Sequence, residues 1–207
     1  TSHFLDYEYN LRMPFIVDLY QWQIDAMEEI STTDRDVALK HLSKIKGRSN
    51  VMKNYRGKLL GIGRMNLIEN KIAEEIELQN YIDSDRKLKK QYSTILYKIG
   101  EIYSEMEETA EFASILSSFK RSSDLLSIAY TIYEGSIELQ KDDVEREYSY
   151  MNRNLNMTKR RMSLVLKDFY APSDKILLKN MIERASNLPL SQRFQAIDDL
   201  FENGEIK

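Results

Sequence analysis

Two histidines and no cysteine limit the chemistry open to this chain of 207 residues. A Ser-His-Asp triad needs an imidazole beside a hydroxyl nucleophile, and only His3 and His41 are available for it. His3 lies near the start of the chain, and His41 lies between Lys40 and Lys44 in a basic stretch. Both settings read as surface or boundary histidine. A carboxylate-bridged di-metal site in a helical bundle is built from Glu-x-x-His pairs. Ala38 stands three residues before His41, so that pair is missing and no metal is implied. Gly61-Ile62-Gly63 lacks a third glycine at the right distance and a strand before it, so it is no dinucleotide fingerprint. Without cysteine there is no disulfide, no thiolate nucleophile and no Cys-ligated zinc. The residues supply no complete catalytic set and call for no cofactor.

The elements that would position any site read as helices. Three prolines and seven glycines are few for this length, whereas all-β proteins draw on both for their turns. Leu19, Ile24, Met27 and Ile30 recur at helical spacing and predict a helix over 14–30 with Pro14 in its first turn. Thr33 followed by Asp36 resembles a capping box, which opens a second helix that Gly47 stops. Over 48–65, Gly57, Gly61 and Gly63 each cost a helix about 0.5–1 kcal/mol against alanine. A break or a close helix contact is expected there. Leu67, Ile68, Ile72, Ile76, Tyr81 and Ile82 define an amphipathic helix, and Asp83-Ser84-Asp85 caps the next. Leu88, Tyr92, Ile95, Leu96, Ile99, Tyr103 and Met106 predict one long helix over 86–107. Further helices are expected near 109–119, 122–140, 143–168, 173–187 and 190–202. Asn152-Arg153-Asn154 is a candidate break in the third of these. Tyr92, Tyr103, Tyr130 and Tyr133 fall on apolar helical positions, where the ring packs and the hydroxyl stays wet. No repeat of solenoid length is present. The fold class that follows is all-α, an irregular multi-helix domain of eight to ten helices over residues 1–207.

Net charge is −3, which offers no general attraction to nucleic acid or anionic membranes. No apolar run is long enough to span a bilayer, and Thr1 to Asp6 lack the basic and apolar regions of a signal peptide. The start at Thr1 suggests a processed protein or a piece of a larger one. From Val37 to Ile68 there is no acidic residue but eight basic ones, Lys40, Lys44, Lys46, Arg48, Lys53, Arg56, Lys58 and Arg64. Acid-rich segments follow at 69–85 and 101–111. Pairing within the fold or simple solvation accounts for such a block, and a surface for an acidic ligand or partner is the functional alternative.

Several segments together carry a resemblance. Arg35-Asp36-Val37-Ala38-Leu39, Ser49-Asn50-Val51-Met52-Lys53-Asn54, Gly57 and Glu69-Asn70-Lys71-Ile72-Ala73-Glu74-Glu75 resemble the helical domain of the bacterial dipeptidyl peptidases 7 and 11. Those proteins have an Asn-Tyr-Trp-Lys run, a glycine shortly after it, and a Lys-x-x-(Ala/Gln)-Glu-Glu helix. Asp168-Phe169-Tyr170-Ala171-Pro172-Ser173-Asp174-Lys175 looks like the end of the same domain. The resemblance implies a chymotrypsin-like double β-barrel serine exopeptidase of the periplasm, with an α-helical domain capping its cleft. It implies that an asparagine holds the free N-terminal amine of the peptide substrate. Here that residue is Asn50, with Asn54 as second candidate. The family's His and Asp precede the helical domain and its Ser follows it, and nothing in this chain corresponds to them. The chain departs from the family at Val51-Met52, where an aromatic pair is usual. A structural role is equally open to Asn50, as N-cap of a helix over 51–64.

Two functions follow as expectations. One is a helical cap domain that binds the substrate N-terminus and restricts access to the cleft, partnered by the catalytic β-barrel of the same parent chain. The other is a stand-alone helical interaction module. Neither involves nucleic acid or a membrane.

Overall fold

The computed structural model describes residues 1–32, 34–202 and 205–206, with 201, 202, 205 and 206 described by backbone alone. The chain opens with α1 (Ser2–Tyr7), a π-helical turn (Glu8–Arg12) and α2 (Met13–Ser31). Pro14 therefore lies inside a helical run and does not start one. Proline lacks an N–H and crowds the carbonyl four residues back. The wider turn just before it, closed by Met13 N–H donating to the Glu8 carbonyl, is where the helix absorbs that mismatch.

The capping residue expected at Thr33 lies outside the described residues. Beside it, Asp34 Oδ1 accepts from the backbone N–H groups of Asp36 at 2.8 Å and Val37 at 3.4 Å. The helix that follows, α3 (Arg35–Arg64), corrects two expectations. Gly47 does not stop it, and Gly57, Gly61 and Gly63 do not break it. Helix propagation is cooperative, and no proline interrupts the ladder. Only Gly63 makes the close contact expected of these glycines: a Cβ there would sit 3.1 Å from the Tyr9 hydroxyl, whereas Gly47, Gly57 and Gly61 face open space. Asn66, in the left-handed conformation at φ 47°, ends the run and leads into α4 (Leu67–Ser84).

Asp85 caps α5 (Arg86–Tyr92) as expected, accepting from Lys87 and Leu88 N–H. The single helix expected over 86–107 is instead two, because the chain turns at Ser93-Thr94 before α6 (Ile95–Glu108). Adjacent hydroxyl residues are weak helix formers, which makes this the point where the run yields. Then come α7 (Ala110–Ser122) and α8 (Asp124–Glu138), the latter capped by Ser123 Oγ. Residues 143–151, expected as helix, hold two short 3-10 turns, Asp143–Glu145 and Tyr148–Tyr150, and the break expected at Asn152-Arg153-Asn154 falls just before the helix that begins at Leu155. Side chains there take over the backbone donors: Asp143 accepts from Asn152 N–H, and Glu138 from Glu147 N–H. The last helices are α9 (Leu155–Lys167), α10 (Ala171–Ser186) with Pro172 in its first turn, and α11 (Gln195–Asp198). Of the helix expected over 190–202, α11 is the α-helical part; a 3-10 turn at Leu190–Gln192 precedes it, and Phe201–Glu202 pairs antiparallel with Glu205–Ile206. The all-α class holds.

The chain divides into two compact units, Thr1–Trp22 with Arg48–Ser114, and Gln23–Gly47 with Ile115–Lys207. In the first, α1 packs on α4 and α6. Tyr7, Met13, Leu19, Met52, Ile62, Ile82 and Ala110 are its buried apolar residues. The apolar face read on α4 is mostly uncovered, with Ile72, Ile76 and Tyr81 exposed and Ile82 buried. In the second unit Ile24, Met27, Val37, Ile115, Leu177, Met181, Ile182, Ala185 and Leu188 form the core. Gly135 lets α8 approach Tyr150, whose ring lies 3.3 Å from the place a Cβ would take. The tyrosines expected to pack do so only in part. Tyr92, Tyr130 and Tyr133 are exposed, and Lys120 lies over the Tyr130 ring at 3.9 Å. No helix among the described residues is long and apolar enough to cross a membrane.

Candidate functional site

His41 is the first residue the structure reassigns. Read from the sequence as a surface or boundary histidine, it is wholly buried. Its place four residues after buried Val37 turns it inward on α3, and hydroxyls meet it on both sides. Nε2 lies 2.9 Å from Ser173 Oγ, and Nδ1 lies 2.8 Å from Ser31 Oγ and 3.2 Å from the Met27 carbonyl. Ser173 Oγ in turn donates to the Tyr170 carbonyl. A serine within reach of an imidazole is the geometry of a nucleophile and its base. Here the serine is 3% exposed, and its hydroxyl also faces a backbone carbonyl, that of Tyr170. The pair is a buried polar tie.

The tie continues along the same elements. Asp174 accepts from Ser123 Oγ at 2.7 Å and from Asp124 N–H at 2.6 Å, which holds the start of α8 to α10. Lys44 pairs with Asp124, and Lys40 donates to the Phe169 carbonyl at 3.3 Å. These two lysines of the basic block are thus used within the unit. Among the described residues no three His, Cys, Asp or Glu side chains converge to hold a metal ion.

Asn50 and Asn54 stand in a different environment. Both are exposed residues in the interior of α3, and neither side-chain amide has a hydrogen-bond partner among the described residues. The N-cap role for Asn50 is excluded, since its helix begins at Arg35 and not at Val51. Steps of four, three and four residues put Asn50, Asn54, Gly57 and Gly61 on one face of the helix. With open space at both glycines, this face is a shallow strip with two amides at one end. Lys53, Lys58 and Arg64 flank it and are exposed. Met52, in the run that departs from the family's aromatic pair, is buried, and Val51 is exposed. The strip was not read from the sequence, although the spacing of its glycines was there to be seen. Read locally, these glycines suggest a break or a close helix contact, because local propensity does not show that the helix is continuous.

The profile of the peptidase S46 family matches residues 1–207. An Asp/Glu-specific dipeptidyl-peptidase of Shewanella putrefaciens is 26% identical over 183 residues, covering 88% of this chain and 24% of that protein. The chain thus spans about a quarter of the length of the curated relative it matches. With the family matched from end to end, the chain belongs to the peptidase S46 family.

Proposed function

We propose that this chain is the helical cap domain of a periplasmic serine-type dipeptidyl aminopeptidase, in which Asn50 receives the substrate's free N-terminus and Asn54 assists. The His, Asp and Ser of the reaction come from β-barrel segments of the parent protein outside this chain. The observation that carries the reading is the pair of exposed, unpartnered amides on the strip of α3. A protonated α-amine needs hydrogen-bond acceptors. The charged groups flanking the strip, Lys53, Lys58 and Arg64, are donors only and repel an ammonium, although solvent screens them at this exposed face. The amide oxygens of Asn50 and Asn54 are therefore the side-chain acceptors there. An uncharged acceptor takes an ammonium at lower desolvation cost than a carboxylate. The bare glycines beside it let an extended peptide backbone lie close to the helix. A blocked N-terminus offers no ammonium, and an N-terminal extension beyond two residues cannot pass the cap, which confines the reaction to release of an N-terminal dipeptide.

Asn50→Ala in the parent enzyme tests the assignment. Loss of a charge-assisted hydrogen bond lowers kcat/KM for free-N-terminus peptides by roughly ten- to a hundredfold. Reaction with a small serine-directed inhibitor stays unchanged. Because Asn50 is an exposed interior helix residue, alanine raises helix stability by a few tenths of a kcal/mol, on the order of 0.5. Unchanged kcat/KM removes Asn50 from the site. A stand-alone interaction module remains the alternative, and the parent reading frame separates the two. Barrel segments with the three catalytic residues belong to the first reading only.

A further inference from the structure

A cavity of about 320 Å³ opens in the second unit between α8 and α9, over the 3-10 turn that carries Tyr150. Its lining combines charges of both signs. Lys120 and Glu134 already pair at 3.3 Å, and Glu134 also accepts from the Tyr150 hydroxyl at 2.9 Å. Two further charges on the lining are not matched to each other. Among the described residues the Arg161 guanidinium has only the thioether of Met157, a weak acceptor, at 3.5 Å. The Glu147 carboxylate makes no hydrogen bond or ion pair among the described residues. Ile128, Met162 and Val165 supply an apolar wall.

The geometry points to a binding site for a small zwitterion, a free α-amino acid or dipeptide, with its carboxylate at Arg161, its ammonium at Glu147 and an apolar side chain against Ile128, Met162 and Val165. A simple anion would face Glu134 and Glu147, and a simple cation would face Lys120 and Arg161. Like charges repel, so a ligand carrying both signs is the one that meets opposite charge at each end. The volume lies at the low end of ligand pockets, which suits one or two residues and excludes a folded segment. The inference stands on this lining alone and does not depend on the peptidase reading.

Methyl NMR of the whole chain tests it, with leucine and Ala-Leu as probes and N-acetyl-leucine, leucine amide and inorganic phosphate as comparisons. Leucine or Ala-Leu should shift the Ile128, Met162 and Val165 methyls saturably. Blocking either charged end should weaken binding by at least about tenfold. Arg161→Gln and Glu147→Gln should each do the same, while Lys159→Gln, on α9 but outside the cavity, should leave binding unchanged. Saturation by Ala-Leu alone or by leucine alone supports the site and fixes the ligand's length. The proposal is overturned by the absence of saturable shifts up to about 10 mM, by equal binding of the blocked compounds, or by phosphate binding as well as the zwitterions. Both lining residues are exposed, so the variants retain the fold. Were one to unfold, the blocked-ligand comparison on the native chain still decides.

Discussion

Nε2 of His41 lies 2.9 Å from Oγ of Ser173, with both side chains out of reach of solvent. The distance suits proton transfer and the burial forbids a substrate, so the pair holds α3 to α10 and does no chemistry. Ser173→Ala leaves the imidazole without its partner on that side. A buried polar group so orphaned costs about 1–3 kcal/mol. A lower urea midpoint with unaltered kcat in the parent enzyme is the expected result. A kinetic defect in fully folded protein would return the pair to the list of catalytic groups.

The glycines of α3 should separate by environment. Gly57→Ala and Gly61→Ala meet open space, so each should stabilise this chain by roughly 0.5–1 kcal/mol. Gly63→Ala must displace the Tyr9 hydroxyl, 3.1 Å from the new methyl, and should gain less. In the parent enzyme the first two should still raise the melting temperature but lower kcat/KM, if a peptide lies along the strip. Thermal melts set beside peptide kinetics check both halves.

Glu134 makes a prediction in pH. Burial pushes its carboxyl up, but hydrogen bonds from Tyr130, Tyr150 and Lys120 more than offset this and hold it below the usual carboxylate range. A carboxyl depressed by folding contributes stability above its unfolded pKa and loses it as pH falls through the folded value. Glu134→Gln should therefore be less stable than the native chain at neutral pH. The gap should close as the pH drops below the carboxylate range. Urea midpoints measured across that interval give the sign directly, and a gap that widens in acid contradicts the cause named.

Asn66 is held at φ 47° between α3 and α4. Asn66→Gly should be neutral or slightly stabilising, since glycine adopts this conformation freely. Asn66→Val should cost at least about 1–2 kcal/mol, because a β-branched residue is strained there. Equal stability of the two variants would show that the turn relaxes.

Much of the fold was legible in local pattern. Asp85 caps the helix that its position announces, and Pro172 sits in the first turn of α10. The misses have physical causes. Glycines 47, 57 and 61 look like breakers, because local propensity does not count the cooperativity of a ladder that no proline interrupts. Residues 143–151 look helical, because periodicity does not count carboxylates such as Glu138 and Asp143 that capture backbone N–H groups nearby.

The sequence by itself determined the all-α class and the family, whose profile covers the chain from end to end. These depend on composition, periodicity and motif, which are properties of the residues in order. Tertiary structure alone decided the environment of each polar group. His41 and Asn50 both lie on α3, nine residues apart, and both are polar. One is sealed against Ser173 and Ser31, and the other stands bare on a glycine strip. A helix repeats every 3.6 residues, so which of its faces meets a neighbour is set by what packs against it and not by the residues it carries.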